Sequence, residues 1–152
     1  MMNTPNIQRT AAGEIDYYGL YLLRHLLEHR FAEAADAAFV RGRATRAGAA
    51  FEQARREGLT AAAAQERAME VLMQGLHTSR YDLLREVVEN EFFNEVPPAH
   101  REMFIERLLP SLDALFAPYD LADDDFALSP ACDRLYTEIT GAVAIHIEAH
   151  SL

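Results

Sequence analysis

Two pairs of histidines, each pair four residues apart, are the groups in this chain whose type and spacing suit metal chemistry. His25-Leu26-Leu27-Glu28-His29 fits the pattern H-x-x-E-H. In the inverted zinc peptidases that use this pattern, both histidines hold zinc and the glutamate is the general base. Those enzymes take a third ligand, a glutamate, from well downstream in a larger α/β domain. Glu106 stands at a plausible distance, but glutamate is too common here for its presence to carry weight. His146 and His150 repeat the spacing near the other end of the chain. Di-iron bundles use glutamate followed three residues later by histidine, and no histidine of this chain has that neighbour. The acidic stretch Tyr119 to Asp125 lacks the central glycine and the twelfth-position acid of an EF-hand, so a solvated connection is the preferred reading. There is no G-x-S-x-G and no phosphate-cradling glycine loop. Cys132 falls near the start of a helix, where the dipole lowers a thiol pKa, yet a small apolar helix residue is the better reading of it.

The helices that must carry these groups decide between ligand and packing. At about 100° per residue, Leu20, Leu22, Leu23, Leu26 and Leu27 read as one side of a first helix. Tyr17, Tyr18, Tyr21, His25, Glu28 and His29 read as the other, a face turned to solvent, to a second layer or to a partner. A polar or packed face is preferred there over a metal site. In the last helix Leu135, Ile139, Ala142, Val143, His146 and His150 share a side, which predicts His146 as a hydrogen-bonded core histidine.

Helix signals run through the whole chain and strand signals are absent from it. Asp16 caps a first helix to about Arg30, and Asp36 or a nearby residue opens a second that reaches Glu57 before Gly58 stops it. Thr60 caps an alanine-rich third ending near Gly75, and Thr78 or Ser79 starts a fourth reaching about Asn94. Pro97-Pro98 opens a fifth that Pro110 kinks or splits, and Ser129-Pro130 opens the last. The expectation is an all-α, single-domain bundle of about six helices over 15–152, preceded by a flexible segment, 1–14.

The 152 residues suffice for a core without disulfide or structural metal, and the single cysteine suits a reducing compartment. With neither a signal-peptide core nor a membrane-length apolar run, the chain reads as cytoplasmic and soluble, with no membrane partner. A net charge of -10, from 24 acidic and 14 basic residues, argues against an electrostatic grip on nucleic acid. It leaves open a role in which an acidic surface mimics nucleic acid. All 14 basic residues are arginine, which coding bias in a GC-rich genome explains.

One segment invites a nucleic-acid reading all the same. Residues 64–90 place Gly75 between two amphipathic helices, as in a helix-turn-helix, with Leu76, Tyr81 and Leu84 as packing positions and Ser79, Arg80 and Arg85 toward the groove. Asp82, Glu86 and Glu89 on the same helix oppose it, and an ordinary helical hairpin is preferred.

Tyr17-Tyr18-Gly19-Leu20-Tyr21-Leu22-Leu23, Phe51-Glu52-Gln53-Ala54-Arg55, the run from Ala68 to His77, Phe126-Ala127-Leu128-Ser129-Pro130 and Leu135-Tyr136-Thr137-Glu138 together resemble a known family. It is a family of small, uncharacterised, all-helical proteins of anaerobic Bacteroidetes, often encoded on conjugative transposons and labelled a domain of unknown function. The resemblance covers nearly the whole chain from Tyr17 onward. It implies a compact helical fold and an accessory role in mobile-element biology, supplies no catalytic residue, and implies that the position of His25 is not a fixed histidine. The expectation is therefore a non-enzymatic protein with no catalytic, cofactor or metal residues, acting on an unknown protein partner or as a homo-oligomer. Its contact face is Tyr17, Tyr18, Tyr21, His25 and His29, since tyrosine gives large rigid contact area that tolerates water when unbound. The alternatives are the helix-turn-helix reading and a metal-dependent hydrolase built on His25, Glu28 and His29.

Overall fold

A computed structural model describes residues 16–150, so the expected flexible segment 1–14 lies outside the described residues. Among the described residues there are six helices of eleven residues or more: α1 Tyr17–Glu28, α2 Ala37–Arg56, α3 Ala61–Met73, α4 Arg80–Glu91, α5 Pro98–Leu108 and α6 Pro130–His150. Among the described residues there is no strand, and the fold is all-α, as the periodicity predicts. No described helix is long and apolar enough to cross a membrane. The contacts gather into two compact units, one ending at Gln74 and the other beginning at Gly75.

In the N-terminal unit each helix start is fixed by one side chain. Asp16 accepts the Gly19 N–H at 2.8 Å, Asp36 the Phe39 N–H at 3.1 Å and Thr60 the Ala63 N–H at 3.1 Å. Gly58, at φ 95°, ends α2 in a Schellman turn, with Leu59 N–H on the Ala54 carbonyl and Gly58 N–H on that of Arg55. The same turn ends α1, where Phe31 N–H reaches the Leu26 carbonyl and Arg30, not glycine, takes the left-handed position at φ 59°. The core is small. Its buried side chains are Leu22 and Leu26 of α1, Val40, Ala44, Ala47 and Ala54 of α2, and Ala64, Ala68 and Leu72 of α3. Alanines on the facing sides of α2 and α3 let the two backbones approach closely. Arg43 of α2 then reaches the end of α3, where its guanidinium donates to the carbonyls of Leu72 at 3.0 Å and Gln74 at 2.7 Å. A cation there also offsets the negative end of the helix dipole.

The C-terminal unit is built on larger side chains. Ser79 caps α4 by accepting the Asp82 N–H at 3.0 Å. Pro98 occupies the first turn of α5, which ends at Leu108, and Pro110 falls in the 3-10 turn that follows, Leu109–Leu112, ahead of one α turn, Asp113–Phe116. Leu84, Val87, Val88, Ile105, Phe116, Leu135, Ile139 and Val143 are wholly buried together. The acidic loop acts locally. Its Asp124 accepts the Gly75 N–H at 2.7 Å and lies 3.6 Å from the His77 ring nitrogen, which holds the turn before α4.

Candidate functional site

The rotation of α1 is set by Gly19, Leu22 and Leu26, its three buried positions. Turning about 100° per residue from that seam, Tyr18 and His29 fall beside it, whereas Leu20 and Leu27 fall past its edge. Leu20 and Leu27 are accordingly 48% and 56% exposed, not part of the leucine seam that the sequence predicts. Tyr17 and Tyr21 stand out beside them at 51% and 42%. A shallow hollow of about 310 Å³ runs along this outer face, lined by Tyr17, Leu20, Tyr21, Arg24, His25 and Glu28.

The five residues of the expected contact face therefore divide. Tyr17, Tyr21 and His25 line the outer hollow. The Tyr17 ring meets Tyr18 edge-on at 5.4 Å and tilts toward Tyr21 at 6.3 Å. Tyr18 turns inward and donates its hydroxyl to Gln65 of α3 at 2.7 Å. Burial first, then the neighbouring Tyr17 and the Asp16 carboxylate, hold its phenol above the ordinary value. His29 sits half-buried at the end of the helix, 4.4 Å from the His25 ring, while His25 also stacks on Phe31 at 5.7 Å.

The two histidines of H-x-x-E-H are thus packed ring against ring, and His29 Nε2 lies 3.9 Å from Oε1 of the largely exposed Glu28. Among the described residues, no group of three or more His, Cys, Asp or Glu side chains is placed to hold a metal ion. Toward the C-terminus, His146 is only partly buried at the edge of the core, its ring edge-on to Phe104 at 5.7 Å, in place of the core position that the sequence predicts. It lines an open groove of about 730 Å³ together with Val96, His100, Met103, Phe104, Arg107 and His150. Burial, and then His150 beside it, push its imidazole below the ordinary value. The groove brings together three of the six histidines of the chain, a grouping that the sequence spacing did not reveal because His100 comes from a different helix.

In the segment for which DNA reading is the alternative to an ordinary hairpin, the side chains assigned to the groove are engaged within their own unit. Ser79 is buried as the cap of α4, Arg80 pairs with Asp113 at 3.0 Å, and Arg85 lies 3.6 Å from Asp82 and 4.0 Å from Glu89. Leu76, Tyr81 and Leu84 are buried, as packing positions should be. Cys132 is partly buried, and desolvation with the carboxylates of Asp133 and Glu86 raises its thiol pKa, the opposite of activation.

Strand-free among the described residues and built of capped helices, the chain is an all-α protein, and the outer face of its α1 sets tyrosine and leucine beside arginine, histidine and glutamate. Residues 10–152 match the family described as Domain of unknown function (DUF1896), and the chain belongs to that family. In solved structures it is similar to protein PG0816 from Porphyromonas gingivalis, with 38% sequence identity and a TM-score of 0.81 over 90% of this chain and 92% of that one. No functionally curated protein matches the chain significantly.

Proposed function

We propose that this protein is non-enzymatic and acts through protein contacts, with the outer face of α1 as its contact surface. One observation carries the reading: Tyr17, Leu20, Tyr21 and Leu27, four large apolar side chains, are all exposed on a single three-turn helix. Scattered exposed apolar residues are ordinary, whereas a contiguous set marks an interaction site. Tyrosine suits such a face because its ring gives area and its hydroxyl keeps water in the free state. The resemblance to transposon-encoded proteins supports an accessory role in mobile-element biology, and the single cysteine suits a cytoplasmic setting. The arginines of α4, engaged by carboxylates of their own unit, give the DNA reading no comparable support.

A photocrosslinking residue at position 21, compared with one at the 89% exposed Leu128, tests this in cells. Crosslinking to protein at 21 and not at 128 is expected. Equal yields at both positions, or none at 21, would contradict the reading. The double variant Tyr17→Ala, Tyr21→Ala should lose the contact while costing no more than about 1 kcal/mol of stability, because both rings stand outside the core.

A further inference from the structure

Resting on that contact reading, we propose that the occupant of the α1 face is a second copy of this chain, paired α1 against α1 in antiparallel fashion. The hollow is lined at positions 17, 20, 21, 24, 25 and 28. That spacing belongs to any straight helical face and is symmetric about its midpoint, between Leu22 and Leu23. What is particular is the chemistry on either side of the midpoint. The first half carries Tyr17, Leu20 and Tyr21, and the second carries Arg24, His25 and Glu28. Parallel pairing would stack arginine on arginine and glutamate on glutamate.

Antiparallel pairing about the midpoint sets each half against the other. Tyr21 then lies under the Arg24 guanidinium of the other copy, a cation–π contact. The Tyr17 hydroxyl donates to the Glu28 carboxylate, and Leu20 packs on the His25 ring. The helix dipoles also oppose one another. Glu28, the last residue of α1, stays at the negative end of its own helix but then also lies beside the positive end of its neighbour's, where the Asp16 carboxylate is turned onto the Gly19 N–H. A two-fold axis makes such a patch self-complementary and closes the assembly at two. With 12 residues, α1 is about 18 Å long, so the pairing buries less than the roughly 1,200 Å² of a stable interface and the dimer is weak.

Sedimentation velocity on the full chain, from roughly 5 μM to 1 mM, tests the proposal, with half-dimerisation expected at about 100 μM. Tyr21→Arg alone opposes two arginines at each contact, and Arg24→Glu alone removes the cation from the ring, so each variant should weaken the dimer at least about tenfold. Mixed together, the two variants should dimerise again. At one contact the guanidinium introduced by Tyr21→Arg meets the carboxylate introduced by Arg24→Glu, while at the other a native Tyr21–Arg24 pair remains. Both positions are exposed and tolerate helix-forming residues, and circular dichroism confirms the fold. A wild-type chain monomeric throughout, a dimer indifferent to both substitutions, or a mixture that fails to restore association would each overturn the proposal. If the chain is monomeric while position 21 crosslinks to a different protein, the second copy is wrong and the contact surface stands. If position 21 crosslinks to nothing, the contact reading itself fails.

Discussion

The two units of this protein divide large and small side chains in opposite ways. The C-terminal unit buries Phe116, Ile105, Leu135 and Ile139, and its exposed Phe93, Met103, Leu128 and Ile145 lie on separate elements. The N-terminal unit fills much of its core with alanine and carries Tyr17, Leu20, Tyr21 and Leu27 outside on one helix. Apolar area left on one contiguous face is not contributing to the fold of that unit, which is why α1 reads as a surface for association.

Substitution of core residues should separate the units most clearly. Phe116→Ala empties a fully buried aromatic site and should cost about 3–5 kcal/mol, read as a lowered urea midpoint. Ala68→Leu tests the opposite vulnerability, since α2 and α3 leave no room for a larger side chain at this fully buried alanine. It should cost about 1–3 kcal/mol and raise hydrogen exchange in α2 and α3. A neutral Ala68→Leu would break the account of the N-terminal unit as close-packed on alanine.

A smaller effect is expected from pH. Because burial and His150 depress the His146 imidazole in the folded state, the unfolded chain takes up this proton first, near its ordinary value of about 6.5. Protonation therefore favours unfolding, so this contribution is complete above about pH 6.5 and is lost as pH falls below it. Urea midpoints at about pH 7.5 and 5.5 should differ less in His146→Gln than in the wild type; an identical difference in both would remove His146 from the account.

Element boundaries were the most legible part of the fold, because each rests on one or two residues acting locally. Asp16, Asp36, Thr60 and Ser79 all cap through their side chains, Gly58 takes the left-handed position, and Pro110 falls in the 3-10 turn that follows α5. The rotation of α1 was not legible to the same depth. Leucines at Leu20 and Leu27 look alike in sequence to those at Leu22 and Leu26, and only packing against neighbouring helices selects which pair is buried. The division at Gln74–Gly75 left no linker signature, only a glycine turn that also suits a hairpin inside one bundle. Of the five residues expected on the contact face, Tyr17, Tyr21 and His25 line the outer hollow as helical spacing suggests, whereas the inward turn of Tyr18 depends on Gln65, 47 residues away.

The most direct test of α1 as a self-contact surface is hydroxyl-radical footprinting of the purified chain at about 1 mM against about 10 μM, with the 58% exposed Met103 as reference. Oxidation of Tyr17 and Tyr21 should fall severalfold at the higher concentration while that of Met103 holds. Equal oxidation of both tyrosines in the two settings would contradict the account.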